Sequence, residues 1–108
     1  MKLLTKEILR LLPKLYANEG KPATAVKVPL KLFDPGGRLT LYVTEFDGDD
    51  TLFGYMVSPG GPDGDELGYS SLRELSAVKN WLGLGIERDT SWDPNTTLAE
   101  AVPALAEG

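Results

Sequence analysis

The sequence predicts an α+β fold, one compact domain over residues 1–108. Three observations predict it. The chain opens with apolar residues at helical spacing, its middle section changes to an alternation with period two between turn-forming residues, and two later Ser/Thr-x-x-Glu boxes announce short covering helices.

The first element is a helix within residues 1–20. Thr5 is a good N-cap, Glu7 suits the positive end of the helix dipole, and Leu4 can staple onto Leu9. Ile8, Leu11, Leu12 and Leu15 then form an apolar stripe. Pro13 clashes with the carbonyl of Leu9 and predicts a bend or restart, and Asn18-Glu19-Gly20 supplies the stop.

Antiparallel strands are expected over residues 26–70. Val26, Val28, Leu30 and Leu32 alternate with Lys27, Pro29, Lys31 and Phe33. Pro29 offers no N–H to a ladder, and the lysines on either side place this strand at a protected sheet edge. Asp34-Pro35-Gly36-Gly37 has the chemistry of a type II turn. Strands follow at about residues 39–46 and 51–58, around the turn Asp47-Gly48-Asp49-Asp50. The Gly- and Pro-rich loop of residues 58–66 leads to a fourth strand at 67–70. A helix over 71–82 opens on the box Ser71-Leu72-Arg73-Glu74 and is broken by Gly83 and Gly85. A short strand at 86–90 and a weak C-terminal helix over 97–106, opened by Thr97 and Glu100 and interrupted by Pro103, complete the chain.

Composition narrows the chemistry. Without cysteine or histidine, the sequence offers no disulfide, no thiolate nucleophile, and neither the commonest general base nor the commonest zinc ligand. Met1-Lys2-Leu3-Leu4 looks like the start of a signal peptide, but Lys6, Glu7 and Arg10 interrupt it, so a cytoplasmic location is expected and no membrane contact. The net charge of −5 is unevenly spread. Residues 1–40 carry eight basic against three acidic side chains, whereas residues 45–66 carry seven acids and no base. That segment predicts a negative potential and argues against duplex DNA on its side of the molecule.

The segments LLTKEILRLLPKLYANEG, KLFDP, LYVTEFDGDDTLFGYMVS, LGYSSLRELSAV and LGLGIERDTSW with its trailing TLAE, in that order, resemble the bacterial and phage family catalogued as domain of unknown function 2958 over about residues 3–100. The resemblance implies a small module of plasmids, integrative elements and phages, with no established activity and no agreed catalytic residues to carry over. The SPGGPDGD loop is longer and richer in glycine than is usual in that family.

Four readings compete for Glu45, Asp47, Asp49 and Asp50. A calcium loop counted from Asp47 puts Thr51 at position 5, Leu52 where glycine is needed and Ser58 where glutamate is needed, so no metal is expected. Catalytic carboxylates converge from separate elements, and acids on one turn mostly diverge. A solvated hairpin turn is the plain reading. The fourth is an anionic contact surface joined by Asp63, Asp65 and Glu66 of the next loop.

With the resemblance, the fourth reading yields the leading expectation. It is a non-enzymatic accessory protein of a phage or mobile element that binds a host or element protein with a basic surface, a counter-defence role in which carboxylates stand where DNA offers phosphates to a nuclease, CRISPR or restriction component. A small-molecule or nucleic-acid binding module, using a cleft of Arg88, Glu87, Tyr55 and Trp92, is the alternative, and a carboxylate-dependent enzyme the second. Tyr42, Phe46, Phe53, Tyr55 and Tyr69 serve either as a stacking platform or as core, and strand aromatics favour core. Ser70-Ser71 reads as a helix cap, since no histidine activates a serine. No cofactor is expected. The chain is expected to be a monomer, or a dimer through a surface other than the first strand.

Overall fold

The computed structural model describes residues 2–106, and Met1, Glu107 and Gly108 at the ends of the expected domain lie outside the described residues. It is an α+β domain built on one five-stranded antiparallel sheet. In chain order its elements are α1 (Lys6–Leu11), β1 (Leu30–Phe33), β2 (Thr40–Phe46), β3 (Thr51–Val57), β4 (Glu66–Ser71), α2 (Leu72–Ala77), β5 (Glu87–Arg88) and α3 (Leu98–Ala101), with 3-10 turns at Ala23–Ala25, Pro62–Gly64 and Pro103–Ala106. The strands lie in the order β4-β3-β2-β1-β5. No described helix is long and apolar enough to cross a membrane.

Local chemistry starts the helices where the caps stand. The side-chain oxygens of Thr5, Ser71 and Thr97 accept N–H bonds from Ile8, Glu74 and Glu100, and Glu100 returns the bond to Thr97. The helix expected within 1–20 is only α1, because Pro13 cannot continue it. Leu4 is buried against the sheet and Leu9 is exposed, so the two do not staple. Residues 15–20 instead form a series of turns.

The two sheet faces bury different clusters. Leu30, Leu32, Leu41, Val43, Phe46 and Leu52 meet Leu3, Leu4, Leu75 and Ile86 on one face. Val26, Val28 and Leu98 pack with Tyr42, Tyr55, Trp92 and Leu105 on the other.

Two expectations about β1 are corrected. It is not an edge strand, since β2 and β5 flank it. Pro29 is buried just before it, where the chain pairs with the C-terminal segment: the Val28 N–H donates to Thr96 O at 2.8 Å and the Leu98 N–H to Val26 O at 2.7 Å. Lys31 is no gatekeeper either; it faces Asp89 at 3.6 Å and lies over the Trp92 ring. The Asp34–Gly37 turn forms, but Gly36 does not take the positive φ of a type II turn. Its missing side chain makes room for Asn80, whose Nδ2 would lie 2.5 Å from a Cβ at Gly36.

Candidate functional site

Strand β2 contains the irregularity from which the site is built. Val43 pairs with Gly54 and Glu45 with Phe53, so Thr44 is an extra residue in the ladder, a β-bulge. Strict alternation would turn Glu45 toward the face of Val43. The bulge keeps Val43 and Phe46 together in the first core and puts Glu45 on the opposite face, across from Phe53.

Glu45 is 4% exposed, and it holds the loop after α1. Its Oε1 accepts the Tyr16 N–H at 2.6 Å and its Oε2 the Asn18 N–H at 3.2 Å. The Phe46 N–H donates to Pro13 O at 2.9 Å beside them. Tyr16 has φ 71, the left-handed region that bulky residues avoid. That conformation persists because the carboxylate fixes the N–H groups on and after it.

The loop, the bulge and β4 enclose a cleft of about 390 Å³. Tyr16, Phe53 and Tyr69 give it aromatic walls, Glu45 and Thr44 lie within its lining, and Val26, Leu98 and Leu105 supply apolar surface. The Phe53 and Tyr69 rings stand 5.0 Å apart and are tilted by 57°. The Tyr69 phenol is pushed above its ordinary range, first by its hydrogen bond with Tyr16, then by burial and by the nearby Tyr16, Glu45 and Glu19.

The acids expected to form one surface do not do so. The turn bearing Asp47, Asp49 and Asp50 precedes β3, whereas the loop bearing Asp63 and Asp65 follows it, with Glu66 opening β4. A seven-residue strand therefore separates the two groups, roughly 20 Å at about 3.3 Å per residue. Glu45 is buried and belongs to neither.

Most of the other acids have internal work. Asp47 Oδ1 accepts the N–H groups of Asp49, Asp50 and Thr51 at 2.8, 2.9 and 3.0 Å. Asp50 accepts the Ser71 hydroxyl at 2.7 Å and the Arg73 N–H at 2.8 Å, and the Arg73 guanidinium reaches Asp49 at 3.0 Å. Asp65 is gripped in bidentate fashion by Arg38 at 2.7 and 2.8 Å, while Asp63 and Glu66 are exposed.

These bonds hold carboxyl pKa values below the usual range: the Asp49 N–H leads for Asp47, the Ser71 hydroxyl for Asp50, Arg38 for Asp65, and the Thr97 N–H for Glu100. A lowered folded-state pKa contributes stability that is present above the unfolded value, about 4, and is lost as pH falls through the folded one. The melting temperature is therefore expected to be flat from pH 7 to about 5 and to drop below about 4, measured by circular dichroism across that range.

The second expected cleft is divided. Arg88 and Trp92 line a cavity of about 290 Å³ with Lys31 and Asp89, but Tyr55 and Glu87 are not in its lining. The Arg88 guanidinium donates to Lys2 O, and the Trp92 indole N–H donates to Val28 O at 2.7 Å and closes the second core. Tyr42 and Tyr55 are core residues as expected, whereas Phe53 and Tyr69 face the first cleft.

Sequence reasoning missed Tyr16, Asn18 and the burial of Glu45. The available signal was Val43 and Phe46, two apolar strand residues three apart, which period-two pairing cannot place on one face without an extra residue. It also missed an apolar hairpin tip where Trp81 is 83% exposed beside Leu82 and Leu84.

A family model matches residues 3–107, nearly the whole chain. The chain belongs to the family described as Protein of unknown function (DUF2958). Membership accounts for the ordered segments and assigns no chemistry to the cleft. No curated protein and no solved structure matches the chain.

Proposed function

We propose that this member of the family is a non-enzymatic binding module and that the cleft around Glu45 receives its ligand. The observation that carries this reading is the left-handed Tyr16 backbone, fastened to a buried carboxylate that a bulge has turned out of the main core. Strain of this kind costs on the order of 1–3 kcal/mol and is concentrated at ligand clamps and switch regions. Here it sets one aromatic wall of a concave, largely apolar cleft, the usual form of a small-ligand site. The absence of histidine and cysteine, and the commitment of the buried carboxylate to backbone N–H groups, favour binding over catalysis.

The genetic setting implied by the family supports a further proposal, that the module serves a phage or mobile element and acts on a host component by binding. The separation of the acids onto two ends of the sheet directs that proposal to the cleft rather than to one acidic surface.

The test is amide chemical-shift mapping with a mixed library of neutral, anionic and cationic fragments. Shifts gathered on residues 16–21, 44–45, 53 and 67–69 are expected. Shifts gathered instead on the Trp81 hairpin or around Arg88 overturn the assignment of the site.

A further inference from the structure

The chemistry of the cleft goes further than its shape. Glutamate is almost never buried unless its charge is paired. Yet among the described residues Glu45 has no ion-pair partner; the salt bridges present join Lys31 with Asp89, Arg38 with Asp65, and Arg73 with Asp49 and Asp50. Its oxygens take two neutral N–H donors, and a carboxylate has about four lone-pair positions. Lys21 is in the lining of the same cleft but makes no ion pair with Glu45, and Glu19 adds a second negative charge.

The walls select the same sign of charge. Ring faces carry negative potential and attract cations, the more so where water is excluded. Tyr16, Phe53 and Tyr69 share the cleft lining with the carboxylate and come from three elements: the loop after α1, β3 and β4. Beyond the rings, Val26, Leu98 and Leu105 offer apolar surface for a stem.

We propose that the cleft binds a small organic cation, a protonated or methylated amine on an apolar stem, with the ammonium against Glu45 between the rings and the stem against the apolar wall. This rests on the reading of the cleft as the ligand site and names its ligand class. It makes Glu45 a binding residue as well as the clamp on the Tyr16 loop.

The test uses the full chain and four probes that share one stem: hexylammonium, hexyltrimethylammonium, hexanol and hexanoate, each titrated by calorimetry with amide shifts recorded in parallel. At least one of the two cations is expected to bind tenfold or more tightly than hexanol and hexanoate, with shifts on the cleft. Glu45→Gln is expected to weaken the cation at least tenfold more than it weakens hexanol. Because that variant also loosens the loop, Tyr69→Leu, at an exposed position, provides an independent arm and is expected to weaken the cation severalfold more than hexanol.

Hexanol or hexanoate binding in the cleft as tightly as both cations overturns the cation assignment and leaves the ligand site standing. Cation binding unaffected by both substitutions also overturns it. No shift in the cleft with any of the four probes overturns the cation proposal, and the fragment library then decides separately whether the cleft is a site.

Discussion

Glu45→Ala is expected to destabilise the fold by about 3 kcal/mol, a large effect for one side chain, because hydrogen bonds to a charged group contribute about 1.5–3 kcal/mol each and two N–H groups lose their acceptor together. Tyr16 and Asn18 donate to separate oxygens of this one side chain, so truncation releases both ends of a left-handed turn. Glu45→Gln retains one carbonyl oxygen and turns an amide N–H₂ toward the other donor, so it is expected to cost about half as much. Urea unfolding checks this, with a lower midpoint at unchanged slope. Equal midpoints for wild type and alanine variant mean that the carboxylate does not hold the loop.

Gly54→Ala is expected to cost more still, at least about 3 kcal/mol, by overpacking against atoms that cannot turn aside. A Cβ at Gly54 meets Tyr42 O at 2.0 Å and Val43 Cα at 2.9 Å, backbone atoms of the partner strand just before the bulge. The strands must separate there to admit a methyl group. Gly68 is the control: it stands opposite Gly54 on β4, yet a Cβ there has nothing within 4 Å. Gly68→Ala is expected to change stability by less than about 1 kcal/mol, and in the stabilising direction where strand propensity dominates. Similar midpoints for the two variants under urea contradict the close approach at the bulge.

The parts of this fold legible in the sequence are those set by neighbours in the chain. Thr5, Ser71 and Thr97 cap helices because an N-cap needs only an N–H two or three residues ahead. The β2 and β3 strands and the turn between them follow from alternation around Asp47-Gly48. The parts that were not legible depend on residues far apart in sequence. Pro29 and its lysines look like edge protection, but β5 and residues 96–98 arrive to cover that side from more than fifty positions away. The acids of residues 45–66 look like one patch because they are close in the sequence, and a strand carries them to opposite ends. Glu45 looks like the first of a turn's acids, and its burial is visible only once the extra residue at Thr44 is placed in the ladder.

Whether the buried Glu45 carboxylate maintains the cleft by holding the Tyr16 loop is decided by amide hydrogen exchange. The Tyr16 and Asn18 amides lie in a loop outside regular secondary structure, where exchange is ordinarily fast. Both are expected to be protected in the wild type at a level near that of the β2 amides, and both to lose protection in Glu45→Ala while β1 and β3 retain theirs. Exchange at Tyr16 and Asn18 in the wild type as fast as at the neighbouring turn amides of Leu15 and Gly20, or unchanged protection in the variant, contradicts it.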